Sequence, residues 1–125
     1  MTPTDLAQGA NSSIEDGAVL GYILSHLPST DPRSKLAAAL HLYQRLRKQR
    51  GEAIAKETFA QRHDFHLPDG PEQQARDELM LSKLDAVVEG RFPSRWQCPV
   101  VQPWLYGYDA FEEVEAALKI GGQLV

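Results

Sequence analysis

Ala7-Gln8-Gly9-Ala10-Asn11-Ser12-Ser13-Ile14-Glu15-Asp16-Gly17-Ala18-Val19-Leu20-Gly21 opens the chain with a turn of small residues that runs straight into a helix. The turn lets backbone come close to a ligand. The helix start behind it offers N–H groups without intrahelical acceptors and the positive end of the helix dipole, which together favour a carbonyl oxygen or an anion. Asn11 or Ser12 is the expected cap, and Ser12-x-x-Glu15 fits a capping box. Glu15 and Asp16 then fall in the first turn, where negative charge complements the dipole. Beyond them Ala18, Val19, Leu20, Tyr22, Ile23, Leu24 and Leu27 place apolar groups on nearly every side, the pattern of a buried helix. Pro28 ends it, giving an expected helix from about Ser12 to Leu27.

Working outward, Thr30 or Asp31 with Pro32 at the first helical position starts a second helix. Leu36, Leu40 and Tyr43 form its expected apolar face, with Leu42 and Leu46 beside it. Arg45, Arg47, Lys48 and Arg50 follow as a basic cluster, Gly51 marks an expected bend, and helix resumes through Ile54, Thr58, Phe59 and Arg62. His66-Leu67-Pro68-Asp69-Gly70-Pro71 is a loop with Pro-Asp-Gly as its turn signal. A third helix begins near Pro71, with Leu79, Met80, Leu84, Val87 and Val88 as its apolar face and Gly90 as its C-terminal cap. Residues 91–108 hold Phe92, Pro93, Trp96, Pro99, Pro103, Trp104, Tyr106 and Tyr108. That segment is too apolar for a free linker and reads as a strap packed across the helices. Asp109 caps a last helix from about Ala110 to Ile120, with Glu112 and Glu113 in its first turn. The expected class is all-α: one helical domain over residues 1–125, with four helices and an extended strap.

The totals narrow the function. The 125 residues carry 13 basic and 17 acidic side chains, interspersed, for a net charge of −4. That argues against nucleic-acid binding, which needs a basic face. No apolar run approaches the ~20 residues that span a bilayer, and Met1-Thr2-Pro3-Thr4-Asp5 is not a signal peptide. With Cys98 as the single cysteine, no intramolecular disulfide forms and a reducing, cytoplasmic location is expected.

Four separated stretches carry a family resemblance. The opening turn resembles the flavin-contacting turn of the salicylate-hydroxylase-like, FAD-dependent aromatic hydroxylases. Leu42-Tyr43-Gln44-Arg45-Leu46-Arg47 resembles the Tyr-x-x-x-Arg helix that follows it in that family. His66–Asp77 and Trp104-Leu105-Tyr106-Gly107-Tyr108-Asp109-Ala110 are similar to segments of the fungal branch. The resemblance implies that Gly9, Ala10 and Asn11 present backbone N–H groups to the pyrimidine edge of the flavin, whose reduced form is negatively charged there. It implies that Pro3 lies over the flavin ring. In the family these helices pack behind a nucleotide-binding βαβ core and a sheet-based substrate domain, and the opening turn stands about two-thirds of the way along. The chain therefore reads as a truncated, C-terminal portion of such an enzyme.

The sequence holds no Gly-x-Gly-x-x-Gly for the FAD pyrophosphate, and no Gly-Asp pair upstream of the turn. FAD is thus the cofactor by resemblance, and this chain by itself is not expected to hold it tightly or to hydroxylate. Three functions follow as alternatives: part of a flavin monooxygenase completed by a flavoprotein partner chain, a non-redox binding module, or a small isomerase or cyclase taking an aromatic ligand on the strap. A two-fold dimer through the first helix or the strap is the other partner expectation.

The remaining chemistry-bearing residues read as structural. His26, His41, His63 and His66 have Asp64 and Asp69 among their neighbours but lack a ligand spacing, so no metal site is assigned. Glu15 and Asp16 are adjacent on a helix and read as dipole partners rather than an acid–base pair. The Arg45–Arg50 cluster reads as a solvated face paired with nearby acids, Cys98 as a packed or exposed thiol, and Trp96, Trp104, Tyr106 and Tyr108 as cover over the helices. No catalytic residue is assigned.

Overall fold

The computed structural model describes residues 7–121. They are all-α, with no strand among them. The elements are α1 (Gly9–Ser25), α2 (Pro32–Phe65), α3 (Pro71–Leu81), the short α4 (Gln102–Tyr106) and α5 (Ala110–Gly121). Contacts divide them into two compact units, one over Gln8–Glu52 with α5 and one over Ala53–Tyr108. The 34-residue α2 belongs to both.

In the unit made of α1, the first part of α2 and α5, helix α1 starts at Gly9 rather than near Ser12, with Gln8 as the flanking residue. The expected cap at Asn11 or Ser12 is therefore corrected: both lie inside the helix. No capping box forms, because the Glu15 carboxylate is engaged by Arg47 and Arg50 instead of reaching back to Ser12. Helix α1 packs against α5. Val19 and Ile23 of α1, Ala39 and Leu42 of α2 and Val114 of α5 are the buried apolar side chains of this unit. Leu36 and Leu40 are exposed, so the buried face of α2 runs through Ala39 and Leu42 rather than the face expected. Nor is α1 buried all round, since Ile14 is 71% exposed. Asp109 caps α5 as the sequence predicts: its Oδ1 accepts from the N–H groups of Phe111 at 2.8 Å and Glu112 at 3.1 Å.

Helix α2 runs without interruption through Gly51, where a bend was expected. A single mid-helix glycine costs about 1 kcal/mol against alanine, which the flanking turns absorb.

In the unit over Ala53–Tyr108, Ile54, Phe92, Cys98, Val101 and Leu105 form the core, with Met80, Val88 and Trp104 packed against it. The strap is thus a packed cover, as expected, but α4 makes part of it helical. Its deepest apolar members are Cys98, Val101, Leu105 and Phe92, while Trp96 and Tyr106 stay exposed. Trp96 sets its ring edge-on to Phe65 at 5.9 Å. Helix α3 stops at Leu81, short of the expected end near Gly90. The chain turns at Ser82–Asp85, so Leu84 and Val87 point outward and only Met80 and Val88 of the expected face meet the core. Gly90 takes φ +68° in this loop, a left-handed conformation that glycine adopts without strain. Gly107 ends α4 with its N–H on the Pro103 carbonyl at 2.8 Å, where a Cβ would stand 2.5 Å from that oxygen.

Candidate functional site

The first turn of α1 is the candidate site. The helical ladder begins with the Ser12 N–H donating to the Gln8 carbonyl at 2.8 Å. The N–H groups of Gly9, Ala10 and Asn11 therefore stand ahead of the ladder, at the positive end of the helix. All three residues are exposed, and a Cβ built on Gly9 would meet nothing within 4 Å. Behind them Gln8 is buried and its Oε1 accepts from Asn11 Nδ2 at 3.3 Å. Ala7 carries φ +52°, a left-handed conformation uncommon for a residue with a Cβ, as the chain enters the helix. Pro3, the fourth residue singled out by the sequence, lies outside the described residues.

One turn further in, two acids meet two guanidinium groups. Arg50 grips Glu15 as a fork, Nε to Oε2 and Nη2 to Oε1, each at 2.7 Å. Arg47 places Nη1 3.0 Å from Glu15 Oε2 and Nε 2.5 Å from Asp16 Oδ1, and its Nη2 donates to the Ser12 carbonyl at 3.3 Å. Both arginines are only 8% exposed. The expectation of a solvated basic face is thus overturned for Arg47 and Arg50, and it holds for Arg45 and Lys48, which are exposed. Glu15 and Asp16 are ion-pair partners first. Burial pushes the Glu15 carboxyl up, but the hydrogen bonds and charges of Arg50 and Arg47 outweigh it and hold it below its ordinary value of 4.5. The two carboxylates are neutralised where they stand, so the helix start keeps its positive potential.

A second polar node was missed in the sequence. Arg95, 7% exposed, lies on the strap and donates from Nε to Glu57 Oε2 at 3.2 Å and from Nη1 to Asp64 and to the Phe92 and Pro93 carbonyls. Its backbone N–H meets the wholly buried Gln61 at 2.7 Å. Arg76 donates from Nη1 to the Asp64 carbonyl and from Nε to Asp77 at 2.6 Å. The signal was present: Glu57, Gln61 and Asp64 share one helical face, and an arginine inside an apolar strap needs partners if it is buried.

The other candidates carry no site. Cys98 is a packed thiol, its Sγ 3.7 Å from the Gly90 carbonyl. His63 Nδ1 lies 3.4 Å from Asp64 and His66 Nδ1 2.9 Å from the Arg62 carbonyl. Among the described residues no group of three or more His, Cys, Asp or Glu comes together as a metal site, and no helix is long and apolar enough to cross a membrane.

Fold and site together define an all-helical segment whose helices are held by buried arginine–carboxylate pairs and whose first helix presents an open N-terminus. No family model matches the chain. Its relatives are nonetheless clear. It is 50% identical over 113 residues to the FAD-dependent monooxygenase OpS4 of Beauveria bassiana (strain ARSEF 2860), covering 90% of this chain and 25% of that protein. It is 36% identical over 107 residues to the 3-amino-4-hydroxybenzoate 2-monooxygenase PtnB3 of Streptomyces platensis, covering 84% and 22%. The FAD-dependent monooxygenase atnJ of Arthrinium sp matches at 36% over 72 residues, covering 58% and 16%. By sequence the chain is homologous to part of these FAD-dependent monooxygenases, and it spans only 16–25% of the length of these relatives.

Proposed function

We propose that this chain supplies the helical quarter of an FAD-dependent monooxygenase that acts on a small aromatic molecule, with Gly9, Ala10 and Asn11 donating backbone N–H groups to the pyrimidine edge of the flavin. The observation that carries the reading is the 50% identity to an FAD-dependent monooxygenase over 113 residues that include this turn or follow closely upon it. The open space at Gly9 and the neutralised acids behind it fit one edge of a flavin. Bound flavin supplies the oxygen-activating chemistry, and the part of this chain is to orient the ring and stabilise charge on it.

A helix N-terminus contributes at most about 2 kcal/mol to holding an anion, whereas micromolar affinity takes about 8 kcal/mol. The chain unaided therefore does not retain FAD, and hydroxylation needs the flavin-holding remainder. The lengths of the relatives support that remainder over a second copy as its partner. A cytoplasmic location belongs to the same reading, supported by the single buried thiol.

The test uses Gly9→Val. In the isolated chain the new side chain enters open space, and the fold is expected to be unaffected. In the full-length Beauveria bassiana relative, with the matching stretch replaced by that of this chain, the same change is expected to lower flavin occupancy, read by visible absorbance. Tight capture of FAD by the isolated chain, or full flavin occupancy in the Gly9→Val protein, sinks the reading.

A further inference from the structure

Glu15 and Asp16 are the only charged side chains of α1, and both stand one turn behind the donors at Gly9, Ala10 and Asn11. Gln8 does not cap the helix with its side chain, because its Oε1 accepts from Asn11 Nδ2 instead. Asp16 is six residues beyond Ala10, about 9 Å along the helix axis, inside the ~10 Å over which charges act at moderate salt. Left unmatched, the two carboxylates would take the positive end of the helix for themselves and repel an anion held there.

The fold matches them two for two, with the buried Arg47 and Arg50 of α2. The two guanidinium groups are not equivalent. Arg50 is forked on Glu15. Arg47 spans Glu15, Asp16 and the Ser12 carbonyl. Ser12 directly follows the three donors, and its N–H opens the helical ladder. Arg47 is therefore the side chain that both meets Asp16 and ties the peptide next to the donors to α2. Stability alone does not call for such a residue, since apolar side chains of similar volume often serve as well as a buried ion pair.

We infer that Arg47 is a positioning residue for the flavin, holding the acids of α1 in balance so that the helix start favours reduced, negatively charged flavin over oxidised flavin. The inference rests on the flavin reading above. It adds the residue through which this chain sets the balance between the two states of the bound flavin.

The experiment is a cycle of two charges in the full-length chimera with the Beauveria bassiana relative, titrated against a reference dye to give the flavin potential. Arg47→Met leaves Asp16 uncompensated and lowers the ratio of affinities for reduced and oxidised flavin about tenfold, a fall of about 30 mV for a two-electron couple. Asp16→Asn leaves a guanidinium in excess and moves the potential the other way. The double variant Arg47→Met/Asp16→Asn returns it close to the parent. A side chain that only supports the fold lowers Tm without opposed shifts in potential. Shifts of the same sign, or none in either single variant, overturn the inference. Should Arg47→Met not fold, Asp16→Asn decides by itself, because that side chain is 45% exposed and its loss is tolerated. An unchanged or lowered potential there overturns the inference as well. Gly9→Val keeps the two readings apart. If it expels flavin while the opposed shifts are missing, the role of Arg47 fails and the flavin contact stands.

Discussion

The two units use one helix with opposite polarity. In the unit with α1 and α5, α2 supplies the cations: Arg47 and Arg50 reach acids on the neighbouring helix. In the unit over Ala53–Tyr108, α2 supplies Glu57, Gln61 and Asp64, and the strap returns the buried Arg95 and the exposed Arg91, whose Nη2 stands 3.6 Å from Glu57 Oε1. The second arrangement places acids toward the C-terminal end of α2, where the helix dipole is unfavourable to them. Pairing is thus a requirement there, and it is met by Arg95 on the side chains and by Arg76 on the Asp64 carbonyl. The second unit also has a contiguous apolar core around the strap, so Arg95 locks elements that packing already gathers. What differs is how the load is divided: two buried arginines share it in the first, and in the second one buried arginine, Arg95, carries most of it beside the exposed Arg91.

Arg95→Ala is accordingly the largest expected effect. It leaves Asp64 and two carbonyls without this donor and Glu57 with Arg91 alone, and such a loss costs about 3–5 kcal/mol. Urea unfolding should show it, and a change below about 1 kcal/mol would mean the node is dispensable.

Arg50→Gln comes next, at about 2–3 kcal/mol, since the forked pair is lost while Arg47 still covers Glu15. A double-mutant cycle with Glu15→Gln should return a coupling of about 1–3 kcal/mol. Additive losses would break the contrast between shared and single loads.

The acid limb of stability sharpens it further. A carboxyl held low in the folded state stabilises fully above its unfolded value, here 4.5, and that contribution drains away as the pH falls through the lower folded value. Glu15→Gln should therefore lose less stability than the parent between about pH 5 and pH 3.

Asp109→Ala removes the cap of α5 and should cost about 1 kcal/mol, read as a fall in Tm. The smallest effect belongs to Tyr22, whose hydroxyl donates to Glu115 at 2.9 Å. That hydrogen bond, with a lesser contribution from desolvation and the Glu115 charge, holds the phenol above 10.0. A raised value means the contribution is present at neutral pH and lost as the pH rises through it. Ultraviolet titration should place Tyr22 lower in Glu115→Gln.

Much of the chain was legible before its structure. The last helix and its Asp109 cap followed from a short local signal, as did the Pro71 start of α3, because a cap or an N-terminal proline acts within one turn. The packed strap followed from composition, an apolar segment that water would not accept. The kinship was legible only through the order of four separated motifs, and the relatives bear out the family they point to. The true start of α1 was not legible, because Ser12, Glu15 and Asp16 satisfy the local rules for a cap and a first turn. A pair of arginines more than thirty positions away takes those acids instead.

What the sequence determined by itself is therefore the helical class, the starts of α3 and α5 and the kinship, all of which are written within a few residues of one another or in ordered motifs. What only the tertiary structure decided is which charges are buried and with whom. A guanidinium within a helix carries no mark of its destination until folding brings a carboxylate to it, and inside the fold a charge left unmatched costs more than any local preference can offset.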